Sequence, residues 1–139
     1  MTRTTAEPSF SQSPAVGGSE HVLVVDDDDL IRELVLQQLV SLGYRVSDAS
    51  DGPAALEIIR ESADIDLLFT DIVMSGGMSG LDLAAAAVTL RPNLRVLCTS
   101  GNNAQSIVQN GRPVQDFEFL RKPYRRQELA QRLRKVLDG

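Results

Sequence analysis

Short apolar runs alternate with helix-like patterns along most of the chain. Such alternation indicates βαβ units, whose parallel strands are usually buried on both faces. The sequence therefore predicts an α/β fold, a doubly wound sheet of five parallel strands in one domain. The five runs of strand length are "HVLVV" (21–25), "YRVSDA" (44–49), "DLLFTD" (66–71), "LRVLCTS" (94–100) and "FEFL" (117–120).

Helical patterns lie between these runs. The first has apolar residues from Ile31 to Leu42 at helical spacing and is closed by Gly43. Asp51 is expected to cap the second, and the fourth can be only short because Gly111 and Pro113 follow it. The second to fifth helices are predicted over 51–62, 79–90, 104–110 and 125–137.

The first 20 residues differ in composition from the rest. They are rich in Ser, Thr, Pro and Gly, which is typical of a disordered leader or linker. Residues 21–139 remain for the folded part of a chain of 139 residues, the size of one ordinary domain.

Charge, cysteine content and hydropathy exclude several classes of protein. The net charge of −5 argues against non-specific nucleic-acid binding, and the single Cys98 cannot form an intrachain disulfide. No apolar run approaches transmembrane length, and the N-terminus lacks the order of a secretory signal. We therefore predict a cytoplasmic protein with neither nucleic-acid nor membrane partners. The oligomeric state stays open.

Polar residues stand where four of the five predicted strands end. Asp26 and Asp27 follow the first strand, Asp71 ends the third, Thr99 and Ser100 end the fourth, and Lys122 follows the fifth. In doubly wound folds, binding sites gather at the carboxyl ends of the strands. We therefore expect three carboxylates, a hydroxyl and an ammonium group to converge on one crevice, while the second strand ends in nothing chemically distinctive.

Clustered carboxylates call for a cation. Close carboxylates raise each other's pKa unless a positive charge compensates, and Mg²⁺ is a hard ion that prefers oxygen ligands and serves phosphate chemistry. Zinc is not indicated, because His21 lies at the opposite end of the first strand and Cys98 should point into the sheet packing. A carboxylate can also act as a nucleophile and form an acyl phosphate. No phosphate-binding GxxxxGK[ST] loop is present, so nucleotide binding is not indicated.

Four segments together resemble the receiver domain of two-component response regulators. They are "VLVVDDDDLIR", "LLFTDIVMSGGMSGLDLA", "RVLCTSG" and "FLRKPY", and the resemblance runs from about His21 to Asp138. The sequence is similar both to receivers of hybrid sensor kinases and to stand-alone receivers. The resemblance implies a flavodoxin-like (βα)5 fold with strand order 2-1-3-4-5.

The resemblance also implies roles for individual residues. Asp71 would accept a phosphoryl group from the phosphohistidine of a sensor histidine kinase or phosphotransfer protein. Lys122 would pair with Asp71 and then with a phosphoryl oxygen. The implied Mg²⁺ ligands are Asp27, Asp71 and the main-chain carbonyl of Val73, with Asp26 acting chiefly through water.

Further positions follow from the same resemblance. Ser100 and Phe119 would be the switch residues, and the bond before Pro123 would be cis. The chain has Ser75 where the family commonly has Pro, and the loop has an extra Gly at position 76 or 77. These changes are expected to loosen the loop after Asp71, since Pro fixes φ and Gly does not. In the family, the fourth helix helps to form the surface that changes on activation. Because this helix is short here, the sequence does not determine that surface.

Two other functions fit parts of the sequence. Three Asp and a Lys could serve a Mg²⁺-dependent phosphohydrolase. Alternatively, the last helix could serve a non-catalytic protein interaction module, since seven of the 14 basic residues lie in 121–139. The simpler interpretation is a solvated face formed by Arg125, Arg126, Arg132, Arg134 and Lys135.

The four consecutive aspartates, Asp26 to Asp29, are expected to form two pairs with different roles. Asp26 and Asp27 would belong to the site, whereas Asp28 and Asp29 would begin the first helix and favour its dipole.

Overall fold

Five parallel strands form a central sheet with helices on both faces. The computed structural model describes residues 17–74, 77–101, 108–109, 112–113 and 117–139. The elements are β1 (His21–Val25), α1 (Asp29–Ser41), β2 (Arg45–Ala49), α2 (Gly52–Glu61), β3 (Leu67–Asp71), α3 (Gly80–Leu90), β4 (Arg95–Ser100), β5 (Val108–Gln109), β6 (Arg112–Pro113), β7 (Glu118–Arg121) and α4 (Arg126–Asp138). The strand order is β2-β1-β3-β4-β7, which confirms the predicted flavodoxin-like topology.

Two cores explain why the strands are apolar on both sides. Leu68 packs with Ile59 of α2 and Leu83 of α3 on one face of the sheet. Phe69, the next residue of β3, packs with Leu133 of α4 on the other face. Successive side chains of a strand point to opposite faces, so a sheet covered on both sides needs apolar residues at nearly every position.

The predicted short helix over 104–110 is wrong where the structure describes it. Val108–Gln109 forms β5, which pairs antiparallel with β6. Val108 is β-branched, and such residues favour a strand over a helix. The rest of the predicted helix lies outside the described residues. Each of the four helices within the described ranges is too short or too polar to span a membrane.

The first helix begins as predicted from the four aspartates. Asp28 is its N-cap, and its carboxylate accepts hydrogen bonds from the amides of Leu30 and Ile31 at 3.0 and 3.1 Å. Asp29 lies in the first turn, where a negative charge favours the helix dipole. Asp51 likewise caps α2 by accepting from the amide of Ala54 at 2.8 Å. The predicted start of the first helix and the predicted Asp51 cap are both confirmed.

The described end of the predicted leader, residues 17–20, contacts the domain. The Glu20 carboxylate accepts two hydrogen bonds from Arg134 at 2.8 and 3.0 Å, and its carbonyl accepts from the Arg45 amide. Arg134 also pairs with Asp138, so it is not part of a purely solvated face as the sequence suggested. Residues 1–16 lie outside the described residues, and their disorder stays a prediction.

Candidate functional site

Three aspartates meet at the carboxyl ends of β1 and β3. One carboxylate oxygen from each of Asp26, Asp27 and Asp71 lies within 4.8 Å of the others. The strands are neighbours in the sheet, and the pairing of Val25 with Thr70 brings their ends level. The structure therefore brings together the three carboxylates that the strand ends predicted.

Asp26 is the buried member of this cluster, with 5% of its surface exposed. Its Oδ1 accepts a hydrogen bond from the Asp28 amide at 2.9 Å. Burial raises the pKa of the Asp26 carboxyl, and the charges of Asp71 and Asp27 act in the same direction. Three oxygen donors in one acidic cluster are a suitable donor set for a hard divalent cation.

We expect Asp26→Asn to stabilise the metal-free protein at pH 7, with a melting temperature higher by roughly a few degrees. A raised pKa means that the folded state holds the proton more tightly than the unfolded state. Stability should therefore fall as pH rises from about 4 through the raised pKa of Asp26. Thermal unfolding in chelator at several pH values measures this. A gain that persists undiminished at pH near 3, where the carboxyl is protonated in both states, would contradict the explanation.

Lys122 places a positive charge at the same edge of the sheet. We call this edge, formed by the carboxyl ends of the strands, the rim. Its Nζ lies 3.4 Å from Oδ2 of Asp71, and its amide donates to the carbonyl of Ser100 at 2.7 Å. The Lys122–Pro123 peptide bond is cis, as the resemblance implied. Since β7 pairs with β4, which pairs with β3, this ammonium group reaches Asp71 from the end of the last strand.

Among the described residues, the buried hydroxyl of Ser100 has no hydrogen-bond partner. Within the described ranges, its Oγ is the buried side-chain polar atom for which no hydrogen bond is found. Buried polar groups are normally satisfied, so an orphaned hydroxyl at the rim fits a site that receives a polar ligand. Thr99, the neighbouring hydroxyl residue, is also buried, and its carbonyl accepts from the Ile72 amide at 3.0 Å.

The remaining predicted positions lie around this rim. Phe119 pairs with Cys98 across the sheet and packs partly buried against the core beside α2 and α3. Val73 is exposed in the loop after β3. The loop residues Ser75 and Gly76 lie outside the described residues, while Gly77 has a positive φ of 89° that glycine adopts readily.

Gly80 lets α3 approach the end of β3. A Cβ atom at this position would lie 2.0 Å from the main-chain oxygen of Asp71. We expect Gly80→Ala to destabilise the fold by about 1–3 kcal/mol, because backbone cannot yield as a flexible side chain does. Urea unfolding measures the loss. Gly101→Ala is the control, since its added Cβ would have no heavy atom of the described residues within 4 Å. Equal effects of the two substitutions would contradict the close-approach explanation.

Sequence reasoning missed two features beside the site. The sequence predicts nothing chemically distinctive at the end of the second strand. In the structure, the Asp48 carboxylate on this strand accepts a hydrogen bond from Nε of Arg32 at 2.9 Å. Tyr124 packs edge-on against Phe69 with ring centroids 6.4 Å apart. Burial raises the pKa of Tyr124 to about 12, with the charges of Asp26 and Asp71 contributing. Tyr124 and Asp48 could be read from the sequence, but their contacts with Phe69 and Arg32 could not.

The two potential zinc ligands lie away from the cluster. His21 begins β1 at the opposite end of the strand, where its ring nitrogens lie 3.2 Å from Asp64 and 2.7 Å from Ser47. Cys98 is fully buried in β4, and burial raises the pKa of its thiol to about 12. A protonated, buried thiol is a poor metal ligand.

The fold and the rim together define a flavodoxin-like domain with an acidic cluster, a lysine and a hydroxyl at its strand ends. The family model described as "Response regulator receiver domain" matches residues 22–134, and the chain belongs to this family. It is therefore a receiver domain of two-component signalling, a class of signalling modules that are not enzymes in the usual sense.

Similar proteins include both short and long chains. The response regulator receiver protein CpdR of Brucella abortus is 30% identical over 118 residues, covering 85% of this chain and 97% of CpdR. The sensor kinase CckA of the same organism is 30% identical over 133 residues, which cover 95% of this chain but 14% of the kinase. The chain likewise spans 24% of the transcriptional regulator NtrC of Azospirillum brasilense.

Solved structures agree with the fold. A response regulator receiver protein from Sinorhizobium medicae WSM419 has a TM-score of 0.77 at 27% identity, covering 87% of this chain and 96% of that one. The receiver domain of the hybrid histidine kinase CckA has a TM-score of 0.69 at 30% identity, covering 84% and 98%.

Proposed function

We propose that Asp71 accepts a phosphoryl group from the phosphohistidine of a sensor histidine kinase or phosphotransfer protein. The observation that carries this proposal is that Asp71 lies close to two other carboxylates and 3.4 Å from the ammonium group of Lys122. Similarity to the CckA receiver supports a kinase or phosphotransfer partner. We further propose a cytoplasmic location, where such a donor would be met.

The proposed reaction is an in-line displacement at phosphorus. A carboxylate oxygen of Asp71 attacks the phosphorus, the P–N bond breaks, and the donor imidazole leaves with the electron pair. The product is an acyl phosphate on Asp71. Lys122 changes partner from the carboxylate to a phosphoryl oxygen and offsets its charge.

The acidic cluster would hold Mg²⁺ during this step. Asp27, Asp71 and the main-chain carbonyl of Val73 are the proposed direct ligands, with Asp26 acting through water. When bound, Mg²⁺ supplies the positive charge that offsets the carboxylates and the phosphoryl oxygens. The donor set fits this ion because it consists of oxygen atoms and includes the buried Asp26.

Ser100 and Phe119 are the proposed switch. The orphaned hydroxyl of Ser100 would donate a hydrogen bond to a phosphoryl oxygen, which would draw the end of β4 toward Asp71. Phe119 lies on the adjacent strand, paired with Cys98, so a shift of β4 would change its packing. Such a local contact biasing a packed element is a common form of switching.

Labelling with acetyl phosphate tests the proposed function. We expect Mg²⁺-dependent incorporation approaching one phosphoryl group per chain, measured by intact mass, and none in chelator. Sustained release of phosphate from a small phosphomonoester over many turnovers would instead favour a phosphohydrolase.

A further inference from the structure

Arg32 forms three contacts beside the acidic cluster. Its Nη1 donates to the main-chain carbonyl of Asp26 at 2.7 Å. Its Nε donates to Asp48 on β2 at 2.9 Å, and its Nη2 donates to Asp29 in α1 at 2.7 Å. The side chain is only 15% exposed, so the guanidinium is held in one place.

The contact with Asp26 restrains the turn that carries two of the proposed metal ligands. On one side of the turn, the Asp26 amide donates to the carbonyl of Ala49 at 3.3 Å. On the other side, the Asp28 amide donates to Oδ1 of Asp26 at 2.9 Å. With the Asp26 carbonyl also fixed by Arg32, the peptide plane between Asp26 and Asp27 has little freedom. The direction of that plane sets where the Asp27 side chain leaves the backbone.

We propose that Arg32 is a positioning residue for the turn of residues 26–28. The functional consequence of this restraint is a preorganised metal site, and that part of the inference rests on the proposed function. Arg32 does not contact the reacting groups. It acts through the backbone of Asp26 and is itself anchored to the edge strand β2 by Asp48.

Charge and geometry make opposite predictions for this residue. A guanidinium near carboxylates repels a cation, so a purely electrostatic role predicts that removing the charge strengthens Mg²⁺ binding. A positioning role predicts weaker binding even when the charge is kept. Lysine keeps the charge but has a single nitrogen in place of the planar fork that serves three acceptors.

Arg32→Lys is therefore the test, with Arg60→Lys as the matched control. Arg60 forms an exposed i,i+3 pair with Glu57 on α2, away from the site. We expect Arg32→Lys to weaken Mg²⁺ binding about tenfold by calorimetry, within the range for lost supporting contacts. We also expect faster hydrogen exchange at the Asp28 amide in the metal-free protein. The control should change neither quantity.

Each outcome is decisive. An unchanged Asp28 exchange rate in Arg32→Lys overturns the positioning role, whatever happens to the affinity. A wild-type protein that binds no Mg²⁺ overturns the proposed function, while the exchange measurement still tests Arg32. If Arg32→Lys fails to fold, Arg32→Met keeps an unbranched side chain but donates no hydrogen bond to the Asp26 carbonyl. Faster Asp28 exchange in Arg32→Met supports the role, and an unchanged rate overturns it.

Discussion

Asp71→Asn should reduce acyl phosphate formation at least about 100-fold, to the background of the assay. The amide is nearly the same size as the carboxylate, but its oxygen is a far weaker nucleophile and carries no charge to pair with Lys122, 3.4 Å away. Incorporation from acetyl phosphate in the presence of Mg²⁺, followed by intact mass, measures the effect.

Asp64→Asn is the matched control for this experiment. Asp64 is an exposed aspartate near the opposite end of the sheet, where it contacts His21 and Arg45. The same change of a carboxylate to an amide there should leave labelling intact. Full labelling of Asp71→Asn would remove Asp71 from the proposed role, and equal loss in both variants would indicate an indirect effect.

Asp27→Ala should weaken Mg²⁺ binding by about 100-fold or more. Asp27 is a proposed direct ligand, and its loss should cost more than the about 10- to 100-fold lost with a supporting contact. Asp27 is one of three residues whose carboxylate oxygens come within 4.8 Å of one another, so its removal leaves two carboxylates in the cluster. Calorimetric titration of the folded variant with Mg²⁺ measures the loss.

Asp29→Ala, two residues along the same acidic run, is the internal control. The Asp29 side chain is 86% exposed, so its ion pair with Arg32 is screened by water and contributes little. Arg32 keeps its contacts with Asp26 and Asp48 in this variant. We expect nearly unchanged Mg²⁺ affinity. Equal weakening by both substitutions would show that the run acts as one charged surface.

The position of the site could be predicted because it follows from topology. Parallel strands place their carboxyl ends on one edge of a sheet, so the residues after β1, β3, β4 and β7 lie along that edge once the strands are assigned. Chain order and apolar pattern therefore place Asp26, Asp27, Asp71 and Lys122 along one edge, and the strand order implied by the resemblance makes them neighbours. The N-caps Asp28 and Asp51 were predictable for a similar reason, because a cap depends only on the turn that follows it.

The supporting contacts could not be predicted in the same way. Arg32 and Asp48 are 16 residues apart, and their contact depends on the register of β2, which pairs Val24 with Asp48. Sequence pattern does not set that register for a half-exposed edge strand. The β5–β6 strand pair could not be predicted for a different reason: a window of few apolar residues fits a short helix or a short strand equally well.

Because Cys98 is buried, we expect the folded protein to react very slowly with thiol reagents. Its side chain is inaccessible inside β4, and a thiol with a pKa of about 12 forms almost no thiolate at neutral pH. The chain contains no other cysteine. A cysteine introduced at an exposed position would therefore be the sole reactive thiol, so a fluorophore or spin label could be attached at one chosen point without altering the native sequence elsewhere.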